Sequence, residues 1–199
     1  MRIGIDADGV LTDMTAFNVE YGQRFFKRPP LNEGGYSVKE IFGCSEKEEF
    51  RYGLYCFITY CKKWPPRPGC REVIELLNRD GHELYEITAR KFTTMKNPIG
   101  WYSRHLFRRW VRKQGMHFRE IYFCSESHSP EDKLTGCQKY AVDLMIDDKP
   151  EVAYYLAERG IRVLLYDTPY NQEVQGENIV RVRDWKEIYE YIKYKGETS

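Results

Sequence analysis

MRIGIDADGVLTD, residues 1–13, runs from an apolar pair, Ile3 and Ile5, into two carboxylates one residue apart, Asp6 and Asp8. Gly9 follows at once, then Val10 and Leu11, then a third carboxylate at Asp13. The pattern predicts a buried strand that stops at a turn. Residues i and i+2 of a strand point the same way. If extended backbone persists to Asp8, both carboxylates project into one small space. Two like charges there require a metal ion, a proton or a cationic substrate. Carboxylate oxygens suit Mg2+, which takes few protein ligands and keeps waters for a phosphate. A plainer reading of the same residues is an acidic turn that caps a helix at Asp13.

Downstream, helices are predicted over Phe17–Lys27, Val38–Phe42 and Glu46–Tyr60, punctuated by Pro29-Pro30, by Asn32-Glu33-Gly34-Gly35 and by Pro65-Pro66. No convincing strand falls between residues 14 and 68. From there on, strands and helices alternate. Arg71–Arg79 is amphipathic, and Glu83–Thr88 is the second strand candidate. Gly100–Gln114, Glu131–Tyr140, Pro150–Glu158 and Trp185–Tyr194 follow as helices. Between them lie the apolar runs Ile121–Cys124, Val142–Ile146, Val163–Tyr166 and Ile179–Val182. Alternation at these lengths predicts an α/β fold with a Rossmann-like parallel sheet flanked by helices. The expected division is a core of residues 1–13 and 69–199 with a helical cap at 14–68. In such sheets ligands collect at the carboxyl ends of the strands.

Three later strand or helix ends carry candidate chemistry. Thr88 closes the second strand, where a hydroxyl and the following Ala89 N–H can bind phosphate oxygens or cap a helix. Arg90 is one residue further on. Lys133 stands near the start of its helix, where a lysine can neutralise a phosphate and a charged nucleophile together. Ile146-Asp147-Asp148-Lys149-Pro150 is an apolar strand entering two acidic residues and a helix-starting proline. It reads as a metal-ligating strand end or as an acidic helix start favoured by the dipole. Neither G-x-x-x-x-G-K-[ST] nor G-x-G-x-x-G occurs.

These residues, in this order, resemble the four motifs of the haloacid dehalogenase (HAD) superfamily: DADGVLTD, the ITAR of residues 87–90, Lys133 and the IDD of residues 146–148. The resemblance implies that Asp6 is the nucleophile and Asp8 the general acid/base. It implies Mg2+ held by Asp6, Asp147 and the Asp8 backbone carbonyl, with Asp148 holding water or Lys133. Thr88, Ala89, Arg90 and Lys133 would bind the phosphate, and residues 14–68 would form a C1-type cap. A narrower resemblance is to the cytosolic 5'(3')-deoxyribonucleotidase family. It rests additionally on Arg67-Pro68-Gly69, on IDDKPE, and on Tyr166-Asp167-Thr168-Pro169-Tyr170-Asn171 followed by residues 182–185. It implies a phosphomonoester hydrolase acting on nucleoside monophosphates. Phosphatase action on a sugar phosphate or other small metabolite, and a catalytically silent phospho-ligand or partner-binding protein, are the competing readings.

Composition bounds the rest. The 199 residues are 42% hydrophobic and 31% charged, with a net charge of +1, so no global field recruits nucleic-acid polymer or an anionic membrane. No run is long and apolar enough for a signal peptide or a bilayer span. Six cysteines, at 44, 56, 61, 70, 124 and 137, include no C-x-x-C. A zinc site is not expected, and free thiols in a cytoplasmic setting are. Homodimerisation is left open. The cap is rich in aromatics: Phe17, Tyr21, Phe25, Phe26, Phe42, Phe50, Tyr52, Tyr55, Phe57, Tyr60 and Trp64. Most are expected to hold it together, with one or two free to stack on a base. Arg104, Arg108 and Arg112 recur at i+4, with Arg109 and Lys113 beside them. They form either a solvated face or a contact for an anion.

Overall fold

Strand β1 (Arg2–Ile5) is central in a sheet of six parallel strands. Its neighbours are β2 (Glu83–Ala89) and β4 (Leu144–Asp147). With β3 (Glu120–Cys124), β5 (Arg162–Tyr166) and β6 (Ile179–Val182) the order is β3-β2-β1-β4-β5-β6. This computed structural model describes residues 1–196. The side chains of 57–63, 195 and 196 lie outside the described residues, among them Phe57, Tyr60 and the Cys61 thiol.

A parallel sheet is covered on both faces, so its strands are largely apolar. Ile3, Ile5, Leu84, Ile87, Leu144, Ile146 and Val163 are fully buried. Helices α4 (Cys70–Arg79), α5 (Pro98–Lys113) and α8 (Trp185–Gly196) pack on one face. Helices α6 (Ser129–Tyr140) and α7 (Pro150–Ala157) pack on the other. Helix α5 faces the core through Leu106, Phe107, Trp110 and Val111, while Trp101 is exposed.

Between β1 and α4 come α1 (Met14–Phe26), α2 (Val38–Phe42) and α3 (Glu46–Lys63). Their aromatics make a separate core. Phe17, Tyr21, Phe42 and Tyr52 are buried, and Phe25, Phe26 and Trp64 pack against them. Phe50 and Tyr55 are exposed.

Some predicted boundaries move. Strand β1 stops at Ile5, because residues 7–12 fold into a turn. Strand β4 starts later and ends later than predicted. Val142 belongs to the end of α6, where Ala141 is left-handed and the Val142 N–H reaches the Cys137 carbonyl at 2.9 Å. An apolar residue just beyond a helix packs back on it, which imitates a strand start. Helix α1 begins earlier because Asp13 is its N-cap, accepting from the Ala16 N–H at 2.9 Å.

Candidate active site

In this strand order the connections diverge between β1 and β4, leaving a crevice at their carboxyl ends. The register aligns Ile5 with Ile146. The Asp6 N–H then donates to the Ile146 carbonyl at 3.0 Å, so Asp6 and Asp147 emerge side by side.

The turn after Asp6 is specified by several contacts. The Gly9 N–H bonds the Thr12 carbonyl, and the Thr12 N–H and hydroxyl bond the Ala7 carbonyl. Gly9 has φ +105°, and a Cβ there would overlap the Asp148 carboxylate, so only glycine fits. Trp185, fully buried, donates from Nε1 to the Val10 carbonyl at 3.2 Å. Arg67 donates to the Gly9 carbonyl at 3.0 Å and to Asp13 at 2.9 Å, its guanidinium stacked over Tyr166. The helix-capping reading is therefore correct for Asp13, while Asp6 and Asp8 take no part in that cap.

Carboxylate oxygens of Asp6, Asp147 and Asp148 lie within 4.8 Å of one another, all buried. Lys133, fully buried, projects from the second turn of α6 between two of them. Its Nζ is 2.9 Å from Asp6 and 2.6 Å from Asp147. The other Asp147 oxygen accepts from the N–H groups of Asp148 and Lys149 at 3.0 and 3.1 Å. Asp148 accepts from the Tyr170 hydroxyl, while its Oδ1 is buried with no hydrogen-bond partner. Burial pushes the Asp6 carboxyl up to about 6, the pull of Lys133 being opposed by Asp147 and Asp8. Burial also raises Asp148, to about 8, with Asp147 and Asp6 adding repulsion. Burial alone would strip the Lys133 charge, but Asp147 and Asp6 outweigh it and hold the ammonium. Three buried carboxylates thus stand beside one lysine, which pairs with two of them. A hard-oxygen set short of positive charge, with an orphaned carboxylate oxygen, fits a divalent ion of the Mg2+ type. Asp148 belongs to this cluster by its side chain, and no contact joins it to Lys133.

On the neighbouring strand, Thr88 is fully buried and its Oγ1 has no partner. Arg90 turns to Asp8, 3.3 Å away, and lies over the Phe107 ring at 4.6 Å. A cavity of about 390 Å3 opens above Asp6, Asp8, Ala89, Arg90 and Lys133. Its upper wall comes from α1, α2 and α3 through Phe17, Asn18, Val38, Tyr52 and Cys56. Among the described aromatics of α1, α2 and α3, Phe17 and Tyr52 reach it.

Tyr36, in the loop between α1 and α2, also lines the cavity. Its ring meets Tyr170 edge-on at 5.1 Å and carries Lys149 Nζ at 4.9 Å. Tyr170 sits in the 3-10 turn Pro169–Asn171, where Asn171 donates to the Asp148 carbonyl at 2.8 Å and is held by Arg181. A Cβ on Gly34 would stand 3.0 Å from Pro169, so the loop packs closely on this turn. The sequence marks Tyr170 and Asn171 only through the resemblance. Nothing local signals that they hold Asp148.

Glu86 was also hidden inside a strand. It is fully buried, and neither carboxylate oxygen has a partner. Burial pushes its carboxyl well above the usual range, Asp6 adding repulsion against the pull of Arg90. The folded chain keeps this proton, whereas the unfolded chain releases it above ~4.3. Stability contributed here is therefore lost as pH rises beyond that value. Glu86→Gln is expected to raise the urea midpoint by a margin that widens between about pH 5 and pH 8. A margin independent of pH would mean that Glu86 does not hold the proton.

Several known proteins are similar to this chain. A candidate nucleotidase of Halalkalibacterium halodurans is 27% identical, covering 98% of this chain and 96% of its own. A nucleotidase of Clostridium acetobutylicum is 26% identical over 95% and 92%. Among solved structures, the D,D-heptose 1,7-bisphosphate phosphatase of B. bronchiseptica, complexed with magnesium and phosphate, superposes with a TM-score of 0.60. It is 14% identical and the match covers 98% of each chain, a likeness of fold. The family model described as "5' nucleotidase, deoxy (Pyrimidine), cytosolic type C protein" matches residues 1–196. The chain therefore belongs to this nucleotidase family and is a HAD-type phosphatase.

Proposed function

We propose that the protein hydrolyses nucleoside monophosphates through an aspartyl-phosphate on Asp6, with Mg2+ as cofactor. The observation that carries this reading is the Asp6–Lys133–Asp147 cluster at the floor of the cavity of about 390 Å3. Asp6, Asp147, Asp148 and the Asp8 carbonyl would hold the ion, which when bound supplies charge neutralisation for the phosphate. An Asp6 oxygen attacks phosphorus, and the bond to the leaving oxygen breaks. Asp8 gives that oxygen its proton, then takes one from the water that attacks the aspartyl-phosphate. Inorganic phosphate leaves and Asp6 is restored. Lys133, the Thr88 hydroxyl and the Ala89 N–H bind the equatorial oxygens, which gives the orphaned Thr88 Oγ1 its partner. The arriving phosphate competes with Asp8 for Arg90, freeing Asp8 to carry a proton. Residues 14–68 act as the cap, with Phe17 and Tyr52 offering aromatic surface to a base.

The test is phosphate release with and without Mg2+ from dAMP, dUMP, 3'-nucleotides and sugar phosphates. Nucleoside 5'-monophosphates are expected to exceed sugar phosphates in kcat/KM by roughly tenfold or more. A preference for sugar phosphates would replace the substrate and keep the chemistry. No release from any ester would make this a binding protein.

A further inference from the structure

Helix α5 carries a feature that the hydrolytic cavity does not use. Trp101, His105, Arg108 and Arg112 are spaced by four, three and four residues, so they share one face of the helix. That face is one wall of a groove of about 430 Å3. The opposite wall is the segment 116–121, which brings in His117 and Arg119 and runs into the edge strand β3. Residues 98–120 hold six Lys or Arg and one Glu, a local charge of +5. The whole chain is +1, so everything else nets −4. Arg108 and Arg112 make no ion pair among the described residues; Arg119 meets Glu83 at 3.3 Å.

The carboxyl end of a helix favours a basic residue, which accounts for Arg112. It does not account for Arg108, nor for an indole. Trp101 is 62% exposed, with its ring stacked on the His105 imidazole at 5.3 Å and 14°. A purely apolar partner has no use for the guanidinium groups, and a simple anion has no use for the stacked rings. A ligand with a flat aromatic body and several phosphate oxygens uses both.

We propose that this groove is a second binding site and takes a nucleotide bearing more than one phosphate. The base stacks on the open side of Trp101, and the phosphates reach Arg108, Arg112 and Arg119. The volume lies within the ~300–1,000 Å3 of small-ligand sites. Helix α5 links the site to the cavity, because Phe107 on its inner face carries the Arg90 guanidinium at 4.6 Å.

The test uses the full chain carrying Asp6→Asn, so that binding is read without turnover. Tryptophan fluorescence and calorimetry follow a nucleoside triphosphate, inorganic tripolyphosphate, the bare nucleoside and a single-stranded RNA oligomer. The triphosphate is expected to bind saturably, with affinity falling steeply as salt rises. Arg108→Glu/Arg112→Glu should weaken it roughly tenfold or more, and Trp101→Ala about fivefold or more, at an unchanged melting temperature. In a chain with Asp6 restored, both changes should leave phosphate release from monophosphates intact when no triphosphate is present. Undiminished triphosphate affinity in these variants would assign all binding to the hydrolytic cavity and overturn the site. So would absence of binding. Tighter binding of the RNA than of the triphosphate would overturn the choice of ligand. Failure of the hydrolytic reading would appear instead as absent turnover with this binding unaffected.

Discussion

Asp6→Asn is expected to lower phosphate release by about 10⁴-fold or more, because the proposed covalent mechanism loses its nucleophile and the neighbouring Asp147 and Asp148 are assigned to the ion. The amide matches the carboxylate in shape but does not attack phosphorus. Lys133 keeps Asp147 at 2.6 Å, so the fold is expected to survive. One buried carboxyl already pushed up to about 6 is also removed, which relieves repulsion around Asp147. The result is read as kcat under substrate saturation together with an unchanged circular dichroism spectrum. Near-native turnover in a well-folded Asn variant would refute Asp6 as the nucleophile.

Lys133→Met is expected to have the largest effect on the fold. Lys133 is fully buried between two carboxylates, and removing one partner of such a group typically costs ~3–5 kcal/mol, since the remaining charges are uncompensated. Without the ammonium, whose pull lowers it, the Asp6 carboxyl is held further above its unfolded value of ~3.9, so the folded variant binds more protons than the unfolded chain. The lost stability should therefore return as pH is lowered from about 8 to about 5. It should return at fixed pH on adding Mg2+, by more than in the native chain, because an ion held by the folded cluster alone stabilises the folded state. Urea unfolding across pH, with and without MgCl2, checks all three. An unaltered midpoint at pH 8 would mean that Lys133 does not neutralise the cluster.

What was legible in the sequence is what short-range pattern encodes. Ile3 and Ile5 ending in Asp6, and Met145 and Ile146 ending in Asp147, announce strands that deliver acids to one edge, and the register brings them together. Lys133 was legible as a lysine near a helix start, and it lands between those acids. The end of β1 was not legible. Whether extended backbone continues to Asp8 depends on Trp185, 175 residues away from the Val10 carbonyl it bonds, and on Arg67. Tyr170 reaches Asp148 across 22 residues, a pairing with no local period. Glu86 was invisible for the opposite reason. A charged residue between Tyr85 and Ile87 reads as the solvent side of a strand, yet helices on both sheet faces leave it no solvent side. Val142 mimicked a strand start because a helix end and a strand start can present the same apolar residue.

Tyr36 belongs to the inserted segment and Tyr170 to the body that carries the acids, yet the two rings are in contact, and the second of them anchors Asp148. The insertion is consequently not a detachable accessory. A segment transplanted from a relative would leave Tyr170 facing a foreign neighbour and Pro169 without the flat loop that Gly34 permits. Exchanging the inserted segment between such proteins therefore means moving it together with the turn at residues 169–170. Variation at Tyr36 and at residues 169–170 should be inherited as a unit.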